Sequence, residues 1–107
     1  MKIIYNKLIP FKGFAAINLF GVIFAREECR PLSAMSIRHE AIHTAQMRET
    51  GFLFFYIIYI VEYLILLCRY RNAGRAYRSV CFEKEAYKYQ VAEFYLKYRK
   101  RYAWIRM

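Results

Sequence analysis

His39, Glu40 and His43 stand in the pattern HEAIH and use up both histidines of the chain. Four residues is slightly more than one helical turn, so both imidazoles project from one face and can place a ring nitrogen on the same ion. Glu40 then stays within reach of water activated there. Zn2+ held by two imidazoles and a carboxylate keeps an open position, where it lowers the pKa of water to near 7 and polarises a carbonyl, with the glutamate as general base.

A third ligand has to come from elsewhere. Downstream lies RAYRSVCFEKEAYKYQ, with Glu83 and Glu85 two residues apart at the start of a helical stretch. Only one of them can share a face with Ala86 and Tyr87. If Glu83 binds the ion, Ala86 falls one turn later, where a small residue allows close approach of the HExxH helix, and Tyr87 points the same way to contact a ligand imidazole. Glu85 would put Lys88 and Tyr89 in those positions, a poorer lining for a cation, so Glu83 is the preferred third ligand. Glu62 is a rival. It is a lone carboxylate in an apolar segment, and leaving it uncompensated would cost several kcal/mol. If residues 38–49 and 52–68 form an antiparallel helix pair turning at Gly51, Glu62 comes close to the motif. A supporting role, hydrogen-bonded to Tyr59 or Tyr63, is expected of it ahead of direct ligation.

The elements that must position these residues are read from pattern and punctuation. Residues 1–30 are rich in β-branched and aromatic residues and broken by Pro10, Gly13 and Gly21, which suggests short strands near residues 2–5, 13–17 and 21–26. Ser33 or Ser36 can cap a helix that carries the motif to about Glu49, and Gly51 ends or bends it. Residues 52–68, FLFFYIIYIVEYLILLC, would make a helix roughly 26 Å long, slightly short of a bilayer's hydrocarbon core. Its Tyr56, Tyr59, Glu62 and Tyr63 gather on one side, facing the site. Leu53, Ile57, Ile60, Val61, Leu64 and Cys68 form the other, which protein, lipid or a second subunit has to cover. After a loop, RYRNAG, a long helix is expected over about residues 76–98. The fold class is therefore α+β, mostly helical, in one domain over residues 1–107.

Composition narrows the partners. The apolar fraction is 59%, which excludes disorder. Lysine and arginine outnumber acids by 18 to 8, so some surface meets an anionic partner. From Arg69 onward basic residues alternate with Tyr95, Tyr98, Tyr102 and Trp104, a mixture suited to a membrane interface or to nucleic acid. The neighbouring apolar segment favours lipid over nucleic acid. Three cysteines without CxxC spacing suggest neither a disulfide framework nor a thiolate zinc site, and fit a reducing compartment. The basic N-terminus is interrupted by Pro10, Lys12, Gly13 and Asn18 and is read as part of the mature fold. All eight acids are glutamates.

With HExxH, an apolar segment and EKEAY in hand, the chain resembles the gluzincin metallopeptidases, especially the membrane-linked branches: the CAAX-processing and stress-type membrane proteases and the β-lactam sensor peptidases. In that family the first glutamate of ExxxD is the third zinc ligand, which the resemblance maps onto Glu83. Tyr87 stands where the aspartate would. Almost end to end, the chain also resembles a small bacterial group familiar in Bacteroidetes, through NLFGVIF, HEAIHTAQM, an apolar segment ending in EYL, FEKEAY and a terminal AWIR.

These readings lead to a zinc-dependent metallopeptidase: His39, His43 and Glu83 as ligands, Glu40 as base, Glu62 and Tyr87 in support, and a peptide or protein as substrate. The expected location is the bacterial cytoplasm or the inner membrane, with an anionic membrane and a homo-oligomer as candidate partners. The alternative is a noncatalytic basic protein that binds a membrane or a partner, with a degenerate zinc site or none.

Overall fold

The computed structural model describes residues 2–8 and 16–107, and the fold is α+β and mostly helical. Three short strands, β1 (Ile3–Asn6), β2 (Ala16–Leu19) and β3 (Val22–Arg26), form one sheet in the order β1-β3-β2. β3 runs parallel to β1 and antiparallel to β2. Of the strand expected near residues 13–17, positions 13–15 lie outside the described residues, and 16 and 17 open β2. Leu19 pairs with Val22, so Phe20 and Gly21 make a two-residue hairpin. Both have positive φ (52° and 90°), the handedness that matches the twist of the flanking strands. The central strand buries Ile23 and Ala25 against Leu32.

Five helices follow. α1 (Ala34–Thr50) starts at Ser33, whose side chain accepts from the backbone N–H of Ser36 at 3.1 Å, satisfying one of the free donors of the first turn. It ends at Gly51, in the left-handed region (φ 77°) with its N–H on Met47 O, a cap that glycine adopts without a Cβ penalty. α2 (Leu53–Tyr70) is the apolar segment. It is not a buried central helix. Phe55 and Leu66 alone are fully buried in it, and they pack in the main core with Met47, Ala76, Val80 and Phe82.

The expected loop over residues 69–74 shrinks to Arg71 and Asn72, since α2 runs to Tyr70 and Asn72 caps α3 (Ala73–Ser79) by accepting from Arg75 N–H. The single long helix expected over residues 76–98 does not form. Val80, extended (φ −61°, ψ 132°) and buried, separates α3 from α4 (Cys81–Tyr89), and a turn separates α4 from the short α5 (Tyr95–Tyr98). The physical reason for the second break lies in Glu85. Its side chain is fully buried, and its carboxylate is neutralised by Arg99 and hydrogen-bonded by Tyr95. In a continuous helix those partners would lie about 15 and 21 Å further along the axis. The chain doubles back because an unpaired buried carboxylate costs more than a break in the helix.

Candidate metal centre

α1 and α4 bring the three expected ligands together. His39 Nε2, His43 Nε2 and Glu83 Oε1 form a triangle with each side at 3.1 Å. His43 and Glu83 are buried and His39 nearly so. Ala86, fully buried, packs on Ile42 of α1, so the small residue predicted one turn after Glu83 does allow the two helices to approach.

The orientation of each imidazole is set from its far side by a glutamine. Gln46 Nε2 donates to Phe82 O and to Glu85 Oε1, both at 3.0 Å. Both are acceptors, so the amide oxygen must face the other way, toward His43 Nδ1 at 2.8 Å. Nδ1 therefore carries a proton and, in the neutral ring, Nε2 presents a lone pair to the cluster. Gln90 Oε1 stands in the same relation to His39 Nδ1, at 2.7 Å. Neither glutamine is apparent as an orienting group from sequence alone, although Gln46 sits one helical turn after His43 and Gln90 two turns after Glu83.

Tyr87 packs edge-on against the His39 ring, with centroids 4.6 Å apart, and its hydroxyl meets that of Tyr77 at 3.1 Å. The expected contact with an imidazole of the motif is present, as ring packing, while the hydrogen bond on Nδ1 comes from Gln90. Tyr59, expected beside Glu62, donates instead to Glu83 Oε2 at 2.7 Å. Glu62 is engaged elsewhere: its Oε1 accepts from the backbone N–H of Cys81 at 3.0 Å, so it holds the first turn of the helix that carries Glu83. Glu85 faces away from the histidines, toward Arg99 and Tyr95.

The electrostatics of the cluster favour a cation. Burial works against the charge on Glu83, but the two imidazoles and the Tyr59 hydroxyl outweigh it and hold its pKa well below the carboxylate range. Burial also opposes a charged His43, yet the adjacent Glu83 and Glu40 raise its pKa to about 9. Positive charge among these three atoms, a proton on His43 or a bound cation, offsets the repulsion they would otherwise feel at such distances. Ligand atoms around a tetrahedral ion with bonds of about 2.0–2.1 Å are spaced by roughly 3.3 Å, close to the triangle observed.

Glu40 lies beside this triangle. Its backbone oxygen accepts from Asn18 Nδ2 at 2.9 Å, which ties β2 to α1. Its carboxylate lines a cavity of about 400 Å³ together with His39, His43 and Glu83. Burial pushes its pKa up, against the opposing pull of the two histidines. Among the described residues Glu40 Oε2 is buried with no hydrogen-bond partner. The rest of the cavity wall is mainly apolar, including Met47, Phe55, Tyr56 and Ile60, with Ala16, Ile17 and Asn18 of β2 along one side.

No protein-family model, curated protein or solved structure matches this chain.

Proposed function

We propose that the chain is a zinc-dependent metallopeptidase of the gluzincin type, with His39, His43 and Glu83 as the ligands and Glu40 as the general base. The observation that carries this reading is the 3.1 Å triangle of donor atoms, with a Glu40 oxygen beside it that has no partner among the described residues. The donor set of two imidazoles and one carboxylate suits zinc. Zinc in such a site makes water a nucleophile near neutral pH and polarises a carbonyl.

The chain's own residues divide the remaining work. Glu40 accepts the proton of the attacking water and can return it to the leaving nitrogen, helped by a raised pKa that suits it to both roles. Gln46 and Gln90 hold the ligand imidazoles through Nδ1, and Tyr59 restrains the free oxygen of Glu83. A peptide, in preference to a smaller substrate, is supported by β2. Among the described residues that strand pairs only with β3, while its Ala16–Asn18 stretch borders the cavity. An extended chain laid along such an edge is held by main-chain hydrogen bonds and brought past Glu40.

The decisive measurement is metal content and hydrolysis together. Protein purified without added zinc is expected to carry one zinc per chain and to cleave a quenched fluorescent peptide library. His39→Ala and His43→Ala should lose the metal, and Glu40→Gln should keep it and lose cleavage. Metal-free protein that binds no zinc on titration would reject the reading. Stoichiometric zinc with no cleavage beyond that of Glu40→Gln would leave a noncatalytic zinc protein.

A further inference from the structure

Among the described residues the outer face of α2 has no partner. Leu53, Ile57, Ile60, Val61, Leu64 and Ile65 are each 47–59% exposed, and Phe54 and Ile58 extend the same face. At 100° per residue they fall within an arc of about 160°. Phe20, 60% exposed on the hairpin tip, packs against Tyr56 of α2 with the rings tilted and centroids 5.2 Å apart, and prolongs this surface. The inner side of α2 is committed to protein through Phe55, Leu66, Tyr59 on Glu83 and Glu62 on Cys81.

Charge selects what covers this face. Arg69, Arg71, Arg75 and Arg78, all exposed, follow at the C-terminal end of α2 and along α3. The only acid between residues 51 and 79 is Glu62, and it is turned inward on Cys81. A second copy of this chain would bring together two molecules of net charge +10, with their arginine clusters near a shared apolar seam. An anionic lipid surface gains from the same charges, which its headgroups attract.

We propose that α2 and Phe20 form a docking surface for an anionic lipid bilayer, with α2 lying in the plane of the interface and its outer face among the acyl chains. The helix does not span, because its other side is fastened to α1, α3 and α4, whose exposed residues include Arg48, Arg78 and Lys84. Depth is limited to the outer side chains, as in other amphipathic helices held at an interface. Ile17 and Ile60, both exposed, belong to the wall of the Glu40 cavity, so the cavity opens at the margin of this surface. The proposal does not depend on peptidase activity.

Flotation of the full chain with vesicles tests it. The chain should float with vesicles of phosphatidylcholine and phosphatidylglycerol in equal parts, and at least tenfold less with phosphatidylcholine alone or at high salt. Ile57→Ser combined with Ile65→Ser should cut partition to the anionic vesicles by roughly tenfold or more, with unchanged circular dichroism. Should that variant fold poorly, Leu64→Trp supplies the readout: its fluorescence is quenched by brominated acyl chains. No flotation, equal flotation of the double serine variant, absence of quenching, or a concentration-dependent dimer that the serine substitutions disperse would each overturn the proposal. None of these readouts uses zinc or catalysis, so failure here and failure of the peptidase reading are separately visible.

Discussion

His43 Nδ1 lies 2.8 Å from Gln46 Oε1, and the amide nitrogen of the same glutamine is occupied by Phe82 O and Glu85 Oε1. One turn of α1 thus contains both a candidate ligand and the residue that fixes its tautomer. The chain continues from Gln46 through Glu85 to Arg99, so the histidine is connected to the C-terminal segment by hydrogen bonds and an ion pair.

Gln46→Leu removes the acceptor and puts an apolar side chain of similar size in its place. The imidazole proton then has no partner, and the ring is free to rotate or change tautomer. Zinc affinity is expected to fall by about 10- to 100-fold, measured by competition with a chromogenic chelator. Unchanged affinity would show that packing alone orients His43.

Glu40→Gln and Glu83→Gln should separate chemistry from binding. The first removes the proton acceptor without touching a ligand atom, so zinc stays at one per chain and cleavage falls by about 10²- to 10⁴-fold. The second replaces an anionic ligand by a neutral amide, leaving two imidazoles to hold a divalent cation, and zinc should be lost on dialysis. Zinc retained in Glu83→Gln would exclude that residue as ligand.

Glu62→Gln and Glu85→Gln should both keep stoichiometric zinc, because neither carboxylate faces the triangle. Glu62→Gln weakens the hold on the first turn of α4 and should cost about 1 kcal/mol of stability. Glu85→Gln leaves Arg99 with Glu49 alone and should cost more, about 3 kcal/mol. Denaturant unfolding and metal analysis on the same samples decide the matter. Zinc loss in either variant with the fold intact would reassign the third ligand.

Glu49 predicts a pH dependence. Burial would raise its pKa, but Arg99, the Tyr102 N–H and the Trp104 indole outweigh burial and lower it. An acid whose folded pKa lies below its unfolded value of about 4.3 contributes stability that is fully present above the unfolded value. That contribution disappears as pH falls through the folded pKa. The wild-type unfolding midpoint should therefore drop in the acid range. Glu49→Gln should start about 2 kcal/mol lower at neutral pH and decline less steeply. Some slope remains, since Glu83 is also held low. Parallel curves for the two proteins would show that the Glu49 contacts contribute nothing to acid sensitivity.

Much of this was legible in the residues. Serine, glycine and the four-residue spacing of the histidines act within one or two turns, so the limits of α1 and the common face of His39 and His43 follow from local geometry. The preference for Glu83 over Glu85 was legible too, because a small residue is needed wherever two helices cross closely, and only Glu83 has Ala86 on its face. The two-sided character of α2 follows from helical period in the same way.

Tertiary structure decided what depends on partners far apart in sequence. Glu62 and Tyr59 lie on one side of α2; the tertiary contacts of that side with α4 send Tyr59 to Glu83 and Glu62 to the backbone of Cys81. The amphipathic pattern of residues 76–98 permits one long helix, but it breaks at Val80 and again after Tyr89, where the need to neutralise Glu85 inside the core folds Arg99 back. Gln46 and Gln90 carry no charge and belong to no spacing rule, so their roles emerge only when the imidazoles they face are in place. Local sequence sets which side chains share a face. Which face meets which is settled by the burial of charges and apolar area over the whole chain, and that balance is not readable one segment at a time.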